Sequence, residues 1–204
     1  MKSNLLHSRV ANLLASSCMA GLWALFALRH IAAFKSTGNV TYLLFCISES
    51  ITAAFFVFRK APVSVSQNPT DWLVAFVGTF APLFLVPSPA GGFALGNMLI
   101  IPGMIMQILG VLSLNRSFGL VAAKREIKTG GMYRFIRHPL YASYVVIMLG
   151  YLAGNPTARN LVVGIITIGC HVVRMLREER HLAQDSAYVH YMRRVRFRIV
   201  PLLF

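Results

Sequence analysis

The chain has 204 residues, 56% of them hydrophobic and only 13% charged, against about 25% charge in an average soluble domain, and its mean hydropathy is +0.63. That composition excludes an ordinary water-soluble globule, and hydrophobicity this high excludes a disordered chain, so the class to test is a polytopic membrane protein. The net charge of +14 would suggest nucleic acid as partner of a soluble protein, but its placement argues against that: thirteen of the twenty basic residues fall in two segments beside apolar runs, Arg116–Arg137 and Arg174–Arg198, where the positive-inside rule expects them.

Apolar runs occupy 11–34, 40–58, 71–86, 93–114, 139–154 and 158–176. A spanning helix needs roughly 20 residues, fewer where the bilayer thins, so the runs predict an all-α membrane helix bundle of about five to six transmembrane helices. The third and fifth runs are short, which leaves five spans with one re-entrant or interfacial piece as the alternative. In the first run, Leu14-Ala15-Ser16-Ser17-Cys18 resembles a lipoprotein cleavage site, but apolar sequence continues well past Cys18, and the run reads as an uncleaved span. Turn residues separate the runs at Ser36–Asn39, Gln67–Thr70, Pro87–Gly92 and Gly154–Thr157. Cys18, Cys46 and Cys170 lie far apart inside apolar runs, fit no metal-ligand spacing, and read as small packing residues.

With six spans and an inner N-terminus, nearly all the basic residues fall on one side, leaving Lys35 and Arg159 in the outer loops. The asymmetry predicts an integral, multi-pass membrane protein with both termini cytoplasmic. It also divides the chain into N-terminal membrane spans, 1–114, and a C-terminal region, 115–204, whose 115–137 loop and tail form a cytosolic cap.

The six acidic residues can be weighed singly. Glu49 lies amid the second apolar run, where a carboxylate is either functional or a protonated packing contact with Ser48, Ser50 or Thr52. At the end of the last run, helical spacing sets His171, Arg174 and Glu178 on one stripe at i, i+3 and i+7. Two readings are open there: a snorkelling, salt-bridged helix end, or a polar pocket at the membrane surface for a charged ligand. The loop before the fifth run ends Thr129-Gly130-Gly131-Met132-Tyr133-Arg134-Phe135-Ile136-Arg137-His138-Pro139-Leu140-Tyr141. Its glycines allow a tight turn, Pro139 suits a first helical turn, and Arg137 and His138 then stand at a helix N-terminus, which favours anions.

Arg137-His138-Pro139-Leu140-Tyr141, after Thr129-Gly130-Gly131-Met132-Tyr133 and before Glu178-Glu179-Arg180-His181-Leu182, resembles the integral-membrane methyltransferases typified by isoprenylcysteine carboxyl methyltransferase and its phospholipid-methylating relatives. The tail Tyr188–Val195 is similar to that family's ending, and the resemblance covers about the last ninety residues. The family often has glycine where this chain has Ser143. The resemblance implies S-adenosyl-L-methionine as cofactor, contacted by Arg125, Glu126, Ile127, Lys128, Tyr133, His138, Pro139, Leu140, Tyr141 and Glu178, with Arg174 against the acceptor. Arg174 and Glu178 are then the catalytic pair, no metal takes part, and the acceptor is a membrane lipid or prenylated molecule carrying a carboxylate or an amine. Consistently, no G-x-G-x-x-G follows a strand pattern.

Two rivals differ in chemistry. A membrane sterol- or steroid-type reductase using NADPH typically has Asn before the tyrosine, where this chain has Leu140. A small transporter would line a polar path with Glu49 and His171, yet the polar residues gather at one membrane face and no pair of interrupted helices repeats.

Overall fold

The computed structural model describes residues 9–58, 64–65, 68–88, 94–114, 123–124 and 127–200. Its helices follow the apolar runs closely: α1 Arg9–Thr37, α2 Thr41–Phe58, α3 Pro69–Phe80, α4 Ala94–Leu114, α5 Pro139–Gly154, α6 Ala158–Leu182 and α7 Ser186–Arg194. The third run is a 12-residue helix continued by a 3-10 turn, Ala81–Phe84, because Pro82 lacks the amide that an α-helix would need there. One two-residue antiparallel ladder, β1 Ser64–Val65 with β2 Ala123–Lys124, pairs Ser64 with Lys124 and Val65 with Ala123.

The expected breaks sit at helix boundaries. Gly38 takes φ +69 after α1, a left-handed conformation that suits glycine. Asn68 caps α3 by accepting from Thr70 N, with Pro69 at the first helical position, and Thr157 caps α6 by accepting from Asn160 N at 3.2 Å.

Among the described residues, α4 and α6 are long and apolar enough to cross a bilayer. At about 1.5 Å per residue, their 21 and 25 residues reach across a hydrocarbon layer of roughly 30 Å. Their outward faces are apolar: Met98 and Leu112 on α4 are 69% and 68% exposed, and Ile165 on α6 is 62% exposed. The polar side chains turn inward instead, the reverse of a soluble helix. His30 meets the Tyr151 hydroxyl at 2.8 Å, Tyr42 donates to Asn155, and Ser48 donates to Gln107. Where no water is at hand, such groups need partners inside the protein.

The apolar core joins Phe26, Phe45, Leu85, Ile100, Met104, Met148 and Tyr151, drawn from four helices and the segment after the 3-10 turn. The closest seam is α4 against α5, where Gly96, Gly103 and Gly110 recur every seven residues. A Cβ at Gly96 would stand 2.8 Å from Gly150 O and 2.8 Å from Gly154 N, and one at Gly103 would stand 2.6 Å from Ile147 Cγ1. Small residues let the backbones touch, which is the main source of helix affinity in lipid. Beside that seam Ser143 is fully buried and its hydroxyl turns back to Leu140 O at 2.8 Å, so serine in place of the family's glycine leaves no polar atom unsatisfied.

The seam gives a stability test. Gly96→Ala should destabilise the protein by roughly 1–3 kcal/mol, because the opposing atoms are backbone and cannot give way. Gly169→Ala on α6, with nothing within 4 Å of its Cβ position, should be neutral or slightly stabilising. Thermal unfolding in detergent of the two variants checks the contrast.

Candidate active site

Helix α6 carries the site. Its buried residues include Asn160, Gly164, Thr167, His171, Arg174 and Glu179, one inward stripe at helical spacing. The predicted stripe of His171, Arg174 and Glu178 is therefore the lower part of a longer one, whose upper end is structural: Asn160 donates to Val86 O and Asn155 O at 2.8 and 3.0 Å.

At the lower end, two adjacent carboxylates point about 100° apart around the helix and meet different partners. Glu179 is 6% exposed. Arg137 Nε lies 2.7 Å from its Oε1, His138 Nε2 lies 3.4 Å from the same oxygen, and Arg198 Nε donates to Oε2 at 2.7 Å. The Arg137 contact is one of charge at short range without an aligned hydrogen bond. The N-terminus of α5, where the sequence predicts an anion, thus holds one from its own chain. Its amides are engaged as well, Arg137 N donating to Phe197 O and His138 N to Arg198 O, both at 2.9 Å. Backbone amides free for an outside ligand are therefore not found at 137 and 138.

Glu178, half-buried, accepts from the Tyr141 hydroxyl at 2.8 Å. The Tyr141 ring lies under the Arg174 guanidinium, 5.7 Å from its carbon, and edge-on to His171 at 6.0 Å. Arg174 Nη1 also donates to Thr79 Oγ1 on α3 at 3.5 Å, and His171 stacks on Tyr144 with ring centroids 5.0 Å apart. Tyr141, Arg174 and Glu178 are thus joined in one group, and His138 meets Tyr141 edge to face at 5.6 Å. A cavity opens beside it, lined by Glu49 of α2, Thr79 of α3, Tyr144 and Met148 of α5, and His171 and Arg174 of α6.

The remaining predicted residues spread around this group. Tyr133 sits in a 3-10 turn, Gly131–Arg134, which opens at Gly131 with φ +55. A Cβ at Gly131 would collide with Ser113 Oγ, and that oxygen instead accepts from Met132 N at 3.1 Å. The Tyr133 carbonyl accepts from Tyr191 of α7 at 2.6 Å, which fastens the turn to the tail. Burial pushes the Tyr191 phenol up to about 12 and the Tyr133 phenol well above its ordinary value, so both stay neutral at physiological pH. Ile127 packs on Tyr188, Tyr191 and Val195, and Lys128 is half-buried beside it. Pro139 is the first residue of α5, and Leu140 packs on Val111 of α4. Arg125 and Glu126 lie outside the described residues.

Residues 90–187 match a family model described as phospholipid methyltransferase. The matched segment, just under half of the chain, is similar to that family. The phospholipid methyltransferase segment takes in α4, α5, α6 and the start of α7, so both seam helices and the whole Tyr141–Arg174–Glu178 group lie inside it. That similarity points to a membrane methyltransferase with a lipid-related substrate. Helices α1 to α3 lie outside the phospholipid methyltransferase segment, although Glu49 and Thr79 from them complete its cavity. Curated proteins give no match to the chain.

The carboxylate at 179 carries more structure than its role as a neighbour of Glu178 suggests. Glu179→Ala should cost about 3–5 kcal/mol, since it strands Arg137, whose side chain is 9% exposed, without a counter-charge. Arg198→Ala, removing a partner that is 34% exposed, should cost roughly 1 kcal/mol or less. Thermal unfolding in detergent, read beside protease cleavage of the tail, checks the order.

Proposed function

We propose that the protein is an S-adenosyl-L-methionine-dependent methyltransferase, similar to isoprenylcysteine carboxyl methyltransferase, acting on a lipid-like or isoprenylated acceptor at the cytoplasmic membrane face. The observation that carries this reading is the joining of Glu178, Tyr141 and Arg174 beside a cavity walled by membrane helices. When bound, S-adenosyl-L-methionine supplies an activated methyl group on a sulfonium, together with a zwitterionic amino-acid end.

The residues fit such a cofactor. The half-buried Glu178 carboxylate and the ring faces of Tyr141 and His138 suit a cation, and Lys128 suits a carboxylate. The Tyr188 hydroxyl is buried with no hydrogen-bond partner among the described residues. It lies in the field of Glu178 and Glu179, which together with burial holds its phenol above the ordinary range and therefore neutral. Tyr133, Ile127, Lys128, His138, Pro139, Leu140, Tyr141 and Glu178 would hold the cofactor, joined by Arg125 and Glu126. Arg174 would orient the acceptor from the cavity side. Alignment and exclusion of water are the main help such residues give to a displacement, and the apolar helix walls exclude water.

The same reading takes the chain as a bundle of five to six spans with both termini cytoplasmic. The 115–137 loop and the tail form the cap, as the pairing of Arg137 with Phe197 and of His138 with Arg198 supports.

Two experiments test these points. Purified protein in detergent should bind S-adenosyl-L-methionine or its demethylated product by calorimetry. Glu178→Gln should weaken that binding by 10- to 150-fold, roughly the loss of one charge-assisted contact, while Arg174→Ala should lower turnover and leave donor affinity within a few-fold. Small, equal effects of both variants would fit an exposed salt-bridged helix end instead, and binding of NADPH alone would favour the reductase. For topology, a cysteine introduced at residue 125 should react only with reagents applied from the cytoplasmic side.

A further inference from the structure

The phospholipid methyltransferase segment supplies one side of the cavity, and the other side comes from helices outside it. On α6, His171 is 7% exposed, and its Nδ1 has no hydrogen-bond partner among the described residues. On α2, Glu49 reaches the same cavity, and no hydrogen bond or ion pair joins it to another described residue. The walls between them are apolar, formed in part by Phe45 and Met148. Ionisable groups inside a membrane bundle are costly unless something satisfies them, and two such groups facing one cavity point to a ligand that does.

The cavity is continuous with the proposed transfer site. His171 stacks on Tyr144 and meets Tyr141 edge-on, Tyr141 donates to Glu178, and Arg174 belongs to both the cavity lining and the Tyr141 group. An amphiphile entering between the helices would therefore bring its polar head to Glu49, His171 and Arg174 and leave its tail against the apolar walls. Arg174 by itself would suit a carboxylate. A Glu49 oxygen in the same cavity can accept a hydrogen from the head of the acceptor, and a bare carboxylate has none to give.

We infer that Glu49 is the specificity-determining residue of the acceptor site, and that the acceptor is an amphiphile whose head bears hydrogen on nitrogen or oxygen, donated to Glu49, rather than a bare carboxylate. This rests on the methyl-transfer reading and narrows its acceptor. The family segment then provides the transfer chemistry, while helix α2, outside that segment, selects the molecule to be modified.

The test uses the full chain in lipid nanodiscs with labelled S-adenosyl-L-methionine and two probes of equal tail length, tetradecylamine and tetradecanoate. Label should enter tetradecylamine at least ten times faster than tetradecanoate. Glu49→Gln should lower kcat/KM for the amine by 10-fold or more, about the loss of one charge-assisted hydrogen bond. Donor affinity should stay within two-fold, which also shows that the variant is folded, and Glu49→Asp should recover part of the loss. Preference for tetradecanoate, or unchanged use of the amine by Glu49→Gln, would overturn the inference while leaving methyl transfer standing; if neither probe is labelled, the binding measurement below decides. Absence of donor binding would instead remove the methyl-transfer reading. Thermal unfolding then still decides the cavity: tetradecylamine should raise the unfolding temperature of the wild-type protein and not that of Glu49→Gln, and equal shifts would overturn the inference.

Discussion

A buried carboxylate needs compensation, and the way Glu179 obtains it organises the end of the molecule where α5 begins and α6 finishes. Arg137 stands before α5 and Arg198 follows α7, so the one side chain that both approach holds three parts of the chain together. The backbone pairs at 137 and 138 run between the same two segments. With Tyr191 fixing the turn at Tyr133, the tail becomes a strap that ties the segment before α5 to the end of α6. The aromatic cluster on its underside, Tyr188 with Tyr191 and Val195, fills the space beneath. An ion cluster of this kind adds little net stability compared with apolar packing, but it penalises alternative arrangements heavily.

The neighbouring pair Glu178 and Glu179 shows how one helix separates structure from chemistry. One residue of offset turns a side chain by about 100°. Glu179 faces the arginines with both of its oxygens engaged, whereas Glu178 faces the aromatic wall and, among the described residues, accepts from the Tyr141 phenol. A helix is well suited to such division, because the two roles share a backbone position yet not an environment. The stripe above them makes the same transition along the axis, from Asn160 bonded within the fold to His171 and Arg174 at the cavity.

Much of this was legible in the sequence. Each apolar run became a helix with nearly the predicted bounds, since hydrophobic length and turn residues are local signals, and the stripe of His171, Arg174 and Glu178 needed only helical spacing. The strap was not legible: Arg198 meets Glu179 by tertiary folding that no periodicity announces, and the basic tail reads equally well as a solvated, membrane-facing segment. The same holds for Asp71, whose ion pair with Arg177 ties α3 to α6 across more than a hundred residues. The spacing of Gly96, Gly103 and Gly110 was visible as a heptad and could have located the α4–α5 seam, but glycine in an apolar run has several readings until its neighbour is known. The anion expected at the start of α5 is Glu179 of the chain itself for the same tertiary reason, and the amides of Arg137 and His138 are taken by the tail.

The strap also bears on biogenesis. Arg198 follows Glu179 by nineteen residues, so α6 leaves the ribosome ahead of the arginine that will cover its acid. Chains fold largely in the order in which they are made, and until the tail arrives Glu178 and Glu179 remain solvated on the proposed cytoplasmic side. Neither acid then has to cross hydrocarbon, and the dry environment of the site is created last, by closure from the aqueous side. A chain halted within α6 would carry every predicted span and no finished active site.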